Sequence, residues 1–196
     1  WVIKEACRQL REWLDMGIQD CKIAINLSSV QLTQPDIAQQ ILDALDEHKV
    51  PPRMFEIEIT ETILMENVQQ VIESLERLHA RKITIAIDDF GTGYSSLAYL
   101  KRLPVDILKI DKSFFMDIDK DDNDAVIVET VIAMAKHMQI DIVAEGVESK
   151  EILQFLESKG CTKFQGYLLA RPMPLRQLLH QFPELTMPNQ NVHIID

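Results

Sequence analysis

The chain has no apolar run near the ~18–20 residues a membrane span needs. Nor does a signal peptide open it, because Trp1-Val2-Ile3-Lys4-Glu5 already reads as helix. The chain is therefore expected to begin inside a structure. Cysteine is scarce: Cys7, Cys21 and Cys161 are scattered, without a Cys-x-x-Cys pair. An odd, unspaced set fits buried thiols in a reducing cytoplasm. With five equally scattered histidines, it argues against a Cys/His zinc site. Basic residues are outnumbered, 20 Lys and Arg against 31 Asp and Glu, for a formal net charge of −11. That argues against unspecific nucleic-acid binding, which needs basic surface. A phosphate ligand stays possible where cations stand between it and the acids. No low-complexity linker, charge block or short repeat divides the chain.

What is present suits one globular domain. The 196 residues suffice for a sizeable core, with 26% charged and 46% hydrophobic residues, both ordinary values. Strand-like runs lie near Lys22–Leu27, Phe55–Thr60, Ile83–Asp88, Ile107–Asp111, Asp141–Glu145 and Thr162–Gly166. Helical patterns separate them. Trp1–Met16 reads as a helix. Val68, Val71, Ile72, Leu75 and Leu78 share a face behind a candidate N-cap at Asn67. Val128, Val131, Ile132, Ala135 and Met138 form a second stripe, and Ser149 and Gly160 bracket a third helix. The polar tail, 183–196, is set apart from a domain spanning 1–182 and is expected to carry little structure. Alternation of this kind implies a parallel sheet with crossover helices, closed as a TIM-type barrel or left open as a doubly wound sheet.

Side chains alternate faces along a strand. Ile25, Ile57, Ile59, Ile85, Ile87, Leu108 and Ile110 occupy apolar faces. Asn26, Glu58, Asp88, Lys109 and Glu145 stand late in their strands, away from those faces. In a barrel they point inward at the C-terminal ends, where catalytic groups sit. Converging carboxylates repel unless protonated or bridged by cations. Oxygen donors only (Asn26, Glu58, Asp88, Asp89, Glu145) match hard cations such as Mg²⁺ or Mn²⁺. Asp88-Asp89 is the centre of the set. Adjacent strand residues point opposite ways, so the pair implies that the strand ends and turns there, helped by Gly91 and Gly93. Both carboxylates can then serve two metals sharing one acid, a device for phosphodiester hydrolysis. The plainer reading is a turn or helix-capping Asp pair. Gly91-Thr92-Gly93 lacks both the third glycine of a dinucleotide fingerprint and the lysine of a P-loop. Ser95 or Ser96 can cap the helix that follows. Lys109 is either a salt-bridge partner for Asp111 or another acid, or a group that orients or deprotonates the nucleophilic water.

The runs Asn26-Leu27-Ser28, Glu58-Ile59-Thr60-Glu61, Asp88-Asp89-Phe90-Gly91-Thr92-Gly93-Tyr94-Ser95-Ser96, Leu108-Lys109-Ile110-Asp111, Ala144-Glu145-Gly146-Val147-Glu148 and Gln165-Gly166-Tyr167 agree in order and spacing with one family. From Trp1 to about Leu178 the chain resembles the EAL family of cyclic di-GMP phosphodiesterases. The resemblance implies an α/β fold, a modified (β/α)₈ barrel, and hydrolysis of cyclic di-GMP to linear pGpG with two Mg²⁺ or Mn²⁺ ions. It implies that Asn26, Glu58 and Asp88 bind one metal, with Asp88 bridging to the second. Asp89 and Glu145 serve that second metal. Lys109 holds the nucleophilic water and Gln165 assists it. Glu61 anchors the loop Phe90–Ser96, which belongs to the metal site and dimer interface, and Arg171-Pro172 lies near the guanine pocket.

One departure stands out. Glu-Ala-Leu, the family's name motif, does not occur in the chain. The resemblance places it upstream of Trp1–Met16, on a strand outside this sequence, and about six strands are present instead of eight. This predicts an incomplete barrel, impaired hydrolysis, and a homodimer in which an uncovered edge strand finds a partner. Regulatory or diguanylate-cyclase-type domains commonly precede such a domain. A nucleotide-binding or protein-interaction module without turnover is the alternative. An enolase-like barrel, with strand-end acids holding Mg²⁺ beside a lysine base, fits the paired aspartates and Asn26 less well.

Overall fold

The computed structural model describes residues 1–61, 63, 68–91, 100–116 and 122–186. Among the described residues, six strands form one sheet: β1 Ile23–Asn26, β2 Phe55–Thr60, β3 Thr84–Phe90, β4 Ile107–Ile110, β5 Asp141–Ala144 and β6 Lys163–Phe164. Each pairs in parallel with the next, in sequence order. This order decides between the two expected closures. A doubly wound sheet reverses its strand order partway so that helices cover both faces. An order that never reverses, with right-handed crossovers, puts every helix on one face and curls the sheet around the other. The chain is thus a six-stranded part of a TIM-type barrel.

Seven α-helices accompany the strands among the described residues: α1 Val2–Asp15, α2 Ser29–Leu32, α3 Ile37–His48, α4 Val68–Ala80, α5 Asp122–Met138, α6 Lys150–Ser158 and α7 Leu175–Gln181. The apolar stripes face the sheet. Val71, Ile72, Leu75 and Leu78 of α4 are buried, as are Val128, Ile132 and Ala135 of α5, in one cluster with Ile57, Ile59, Ile85, Ile87, Leu108 and Ile110. Burying each such side chain contributes about 2 kcal/mol relative to exposure. Ser149 accepts from Ile152 N (3.2 Å) at the start of α6, and Gly160 takes φ +86° at its end. The inner face is different. Its apolar cluster is small, Ala86, Ile107 and Val143, and Glu58 and Lys109 are buried polar residues of the same face.

Two strands differ most from the sequence reading. β3 does not stop at Asp88 but runs on to Phe90 through a bulge. β6 is only two residues long. Past it, Gly166 presses so closely on Val147 that a Cβ there would lie 2.2 Å from the Val147 carbonyl oxygen. In the tail, Pro183–Thr186 forms a 3-10 turn with Leu185 buried. Asn67, Gly93, Ser95 and Ser96 lie outside the described residues. Among those described, no helix is long and apolar enough to cross a membrane. Cys7 and Cys161 are buried free thiols, and burial pushes the Cys7 thiol up to about 11.

Candidate metal centre

The bulge in β3 builds the site. Ile87 pairs with Leu108 and Phe90 with Ile110, so Asp88 and Asp89 together face one residue, Lys109. The extra residue is accommodated by Asp89 at φ +53°, a left-handed conformation that aspartate tolerates better than most residues. Without it, successive strand residues would point to opposite faces. With it, oxygens of Asp88, Asp89 and Glu145 all lie within 4.8 Å of one another. Opposite ligands of an octahedral Mg²⁺ stand ~4.2 Å apart, so a small adjustment lets these three share one ion.

Lys109 is the hub, with only 3% of its side chain exposed. Its Nζ lies 2.5 Å from Glu58 Oε1, 2.6 Å from Glu145 Oε1 and 3.6 Å from Asp88 Oδ1. Burial alone would lower its pKa, but the charges of Glu145 and Glu58 outweigh this and raise it. Lys109 is therefore an ammonium at neutral pH. One ammonium cannot balance three carboxylates. Glu145 registers the imbalance: burial, with Asp88 nearby, pushes it up to about 7 despite Lys109. Asp89 is also raised, by burial and then by the charges of Asp88 and Asp111. Such a cluster lacks positive charge, which a divalent cation could supply.

The other expected residues have partners of their own. Asn26 Nδ2 donates to Glu58 Oε2 (3.3 Å), which ties the end of β1 to the Lys109 hub. Glu61 Oε2 accepts from Gly91 N (2.8 Å), at the start of the loop after β3. Gln165 is fastened to the exit of β5 by its backbone, donating to Ala144 O (2.8 Å) and accepting from Val147 N (2.9 Å). Its Oε1 is buried without a hydrogen-bond partner. A buried acceptor in that state costs about 1–3 kcal/mol unless a donor or cation meets it. The acid cluster and its deficit of positive charge fit a hard divalent cation. Arg171 and Pro172 lie on an exposed segment beyond the turn that follows Gly166, and the Arg171 guanidinium stacks 4.4 Å from the centre of the Tyr167 ring.

Asp111 is not the partner of Lys109. Its Oδ1 accepts from Ser113 N (2.9 Å) and caps the 3-10 turn Lys112–Phe114. Burial would raise its pKa, but these hydrogen bonds outweigh burial and hold it below the ordinary value. Strand parity did not exclude Asp111, which falls on the same side of the strand as Lys109. The signal for Asp111 was local, an Asp two residues before a Ser in a turn.

The chain matches the model of the EAL domain over residues 1–172. It is 46% identical over 179 residues to the bifunctional diguanylate cyclase/cyclic di-GMP phosphodiesterase MucR of Pseudomonas aeruginosa, covering 91% of this chain and 26% of MucR. It is 43% identical over 178 residues to the cyclic di-GMP phosphodiesterase NbdA of the same organism, covering 91% of this chain and 23% of NbdA. The chain thus spans about a quarter of the length of these curated relatives. Among solved structures, it superposes on the PaMucR phosphodiesterase in complex with c-di-GMP with a TM-score of 0.86 at 46% identity, over 91% of this chain and 72% of that one. On the EAL domain of Mycobacterium smegmatis DcpA the TM-score is 0.88 at 35% identity, over 96% and 85% of the two chains. Sequence, fold and site agree with the family match, and the chain belongs to the EAL domain family.

Proposed function

We propose that this chain is a cyclic di-GMP phosphodiesterase module, opening the cyclic dinucleotide to linear pGpG with two Mg²⁺ or Mn²⁺ ions. The observation that carries this reading is the meeting of Asp88, Asp89 and Glu145 around the buried ammonium of Lys109. The names of MucR and NbdA support the substrate. Asn26, Glu58 and Asp88 would hold one ion, with Asp88 also reaching the second, which Asp89 and Glu145 would hold. Bound there, the ions supply Lewis-acid polarisation of a phosphodiester and neutralise its charge.

The chain's own residues supply the rest. Lys109 is an ammonium in the cation-free cluster, and from there it would orient the attacking water by N–H donation. Gln165 Oε1 accepts a hydrogen bond from that water. Glu61 steadies the Gly91 end of the loop after β3. Arg171 and Pro172 meet a guanine base, with the Arg171–Tyr167 stack offering a flat cationic surface to it.

The bifunctional name of MucR supports a place beside a regulatory or diguanylate-cyclase-type domain, and the free thiols support a cytoplasmic setting. The chain is further proposed to pair as a homodimer. Light scattering that returns one chain mass would remove that part of the proposal.

The test is direct. The chain is incubated with cyclic di-GMP and Mn²⁺, and pGpG is followed by chromatography. Turnover that disappears in Asp88→Asn and Lys109→Ala is expected. Binding without turnover would make the chain a nucleotide-binding module, and proton abstraction from a carboxylate substrate would make it enolase-like.

A further inference from the structure

β4 lies between β3 and β5, the two strands that bring the acid cluster together. The 3-10 turn that leaves β4, Lys112–Phe114, sits between the exits of its neighbours and touches each at a glycine. A Cβ on Gly91 would lie 2.6 Å from Phe114 Cζ, and one on Gly146 would lie 2.8 Å from Lys112 Cδ. Both distances are shorter than real side chains keep, so the ring and the lysine stem occupy the places where those side chains would stand. Both glycines also have positive φ, +97° and +66°, a region that glycine enters at little cost and that most other residues adopt less readily.

Gly91 is the second residue after Asp89, and Gly146 directly follows Glu145. The turn therefore contacts the backbone on both sides of the cluster, within two residues of a carboxylate each time. It is itself rigid. Asp111 caps it, and the next residue, Phe115, is fully buried in the main core. Gly91 is held from its other side by Glu61, and Lys112 Nζ reaches 4.0 Å from Glu148 Oε1 on the loop after β5.

We propose that Phe114, on the turn Lys112–Phe114, is a positioning residue: packed against Gly91 while Lys112 packs against Gly146, it fixes the spacing of the Asp88-Asp89 pair from Glu145. This rests on the cation-binding reading of the same cluster given above. Carboxylates this close repel, and their separation must be imposed by packing around them. Supporting groups of this kind change cation affinity without touching the ion.

Phe114→Ala, Phe114→Leu and the unaltered chain are compared for Mn²⁺ binding by titration calorimetry and for hydrolysis of cyclic di-GMP. Phe55→Leu, in the core at the N-terminal start of β2, serves as a packing control. Phe114→Ala is expected to weaken Mn²⁺ binding roughly tenfold or more. It should lower kcat with little change in KM, because the substrate contacts are untouched. Phe114→Leu should recover part of both, and Phe55→Leu should lower the thermal midpoint yet keep the Mn²⁺ affinity. Equal Mn²⁺ affinity in Phe114→Ala and the unaltered chain overturns the inference and leaves the metal reading intact. Loss in Phe55→Leu equal to that in Phe114→Ala overturns it too, since a general packing defect then suffices. If the unaltered chain binds no Mn²⁺, the metal reading fails and takes this inference with it.

Discussion

Lys109 Nζ stands 2.6 Å from Glu145 Oε1, across neighbouring strands, with the lysine side chain 97% removed from water and the glutamate mostly so. The pair is one arm of a hub whose other arms reach Glu58 and Asp88. Removing Lys109 leaves these acids buried together without compensation. Breaking a buried pair in this way costs about 3–5 kcal/mol. Lys109→Ala is expected to lower the thermal midpoint, and Mn²⁺ should raise that midpoint more in the variant than in the unaltered chain. Differential scanning fluorimetry with and without Mn²⁺ reads both effects; a variant that melts like the parent would contradict the hub.

Glu145 predicts a pH dependence. Its pKa is raised from the ordinary 4.5 to about 7, so the folded, cation-free chain holds a proton there that the unfolded chain has released. This group's contribution to stability is full below pH 4.5 and is lost as pH rises through about 7. A cation must displace the same proton. Mn²⁺ affinity is expected to fall as pH drops below about 7, and Glu145→Gln should flatten that dependence. Calorimetric titrations between pH 6 and 8.5, roughly bracketing this range, check the slope.

Glu61→Ala takes the acceptor from the Gly91 N–H. Leaving a part-buried donor unsatisfied costs about 1–3 kcal/mol. Urea unfolding should show a loss in that range. Glu61→Gln keeps an acceptor oxygen and should recover most of it. No difference between the two variants would mean that the hydrogen bond contributes little.

Gly166→Ala sets a methyl 2.2 Å from the Val147 carbonyl oxygen. Backbone cannot swing aside as a side chain can, so Gln165 must shift or the segment must detach from β5. A loss of about 3 kcal/mol or more is expected, with Mn²⁺-dependent turnover falling in the remaining folded fraction. Full activity at parental stability would show that the segment after β6 tolerates rearrangement.

Much of the site was legible in the chain before folding. Parity alone set Asn26, Glu58, Asp88, Lys109 and Glu145 apart from their apolar neighbours, because a strand has a period of two and a one-faced core leaves the other face visible. The helix stripes at Val71–Leu78 and Val128–Ala135 were legible for the matching reason at a period of 3.6. The end of β3 was misread because adjacent acids look like a strand terminus. A bulge solves the same problem without ending the strand, and it depends on pairing with β4, some twenty residues away in the chain.

By itself, the sequence determined which groups are available: oxygen donors late in successive strands, one lysine among them, glycines beside the acids, and apolar periods that send helices to one side. The tertiary structure decided how they meet. Only the register of β3 on β4 places two aspartates opposite Lys109, and only the order of the strands gives that lysine Glu58 and Glu145 as partners while Asp111 turns to Ser113. Contacts between strands distant in sequence depend on register and close packing, which no local pattern of residues encodes.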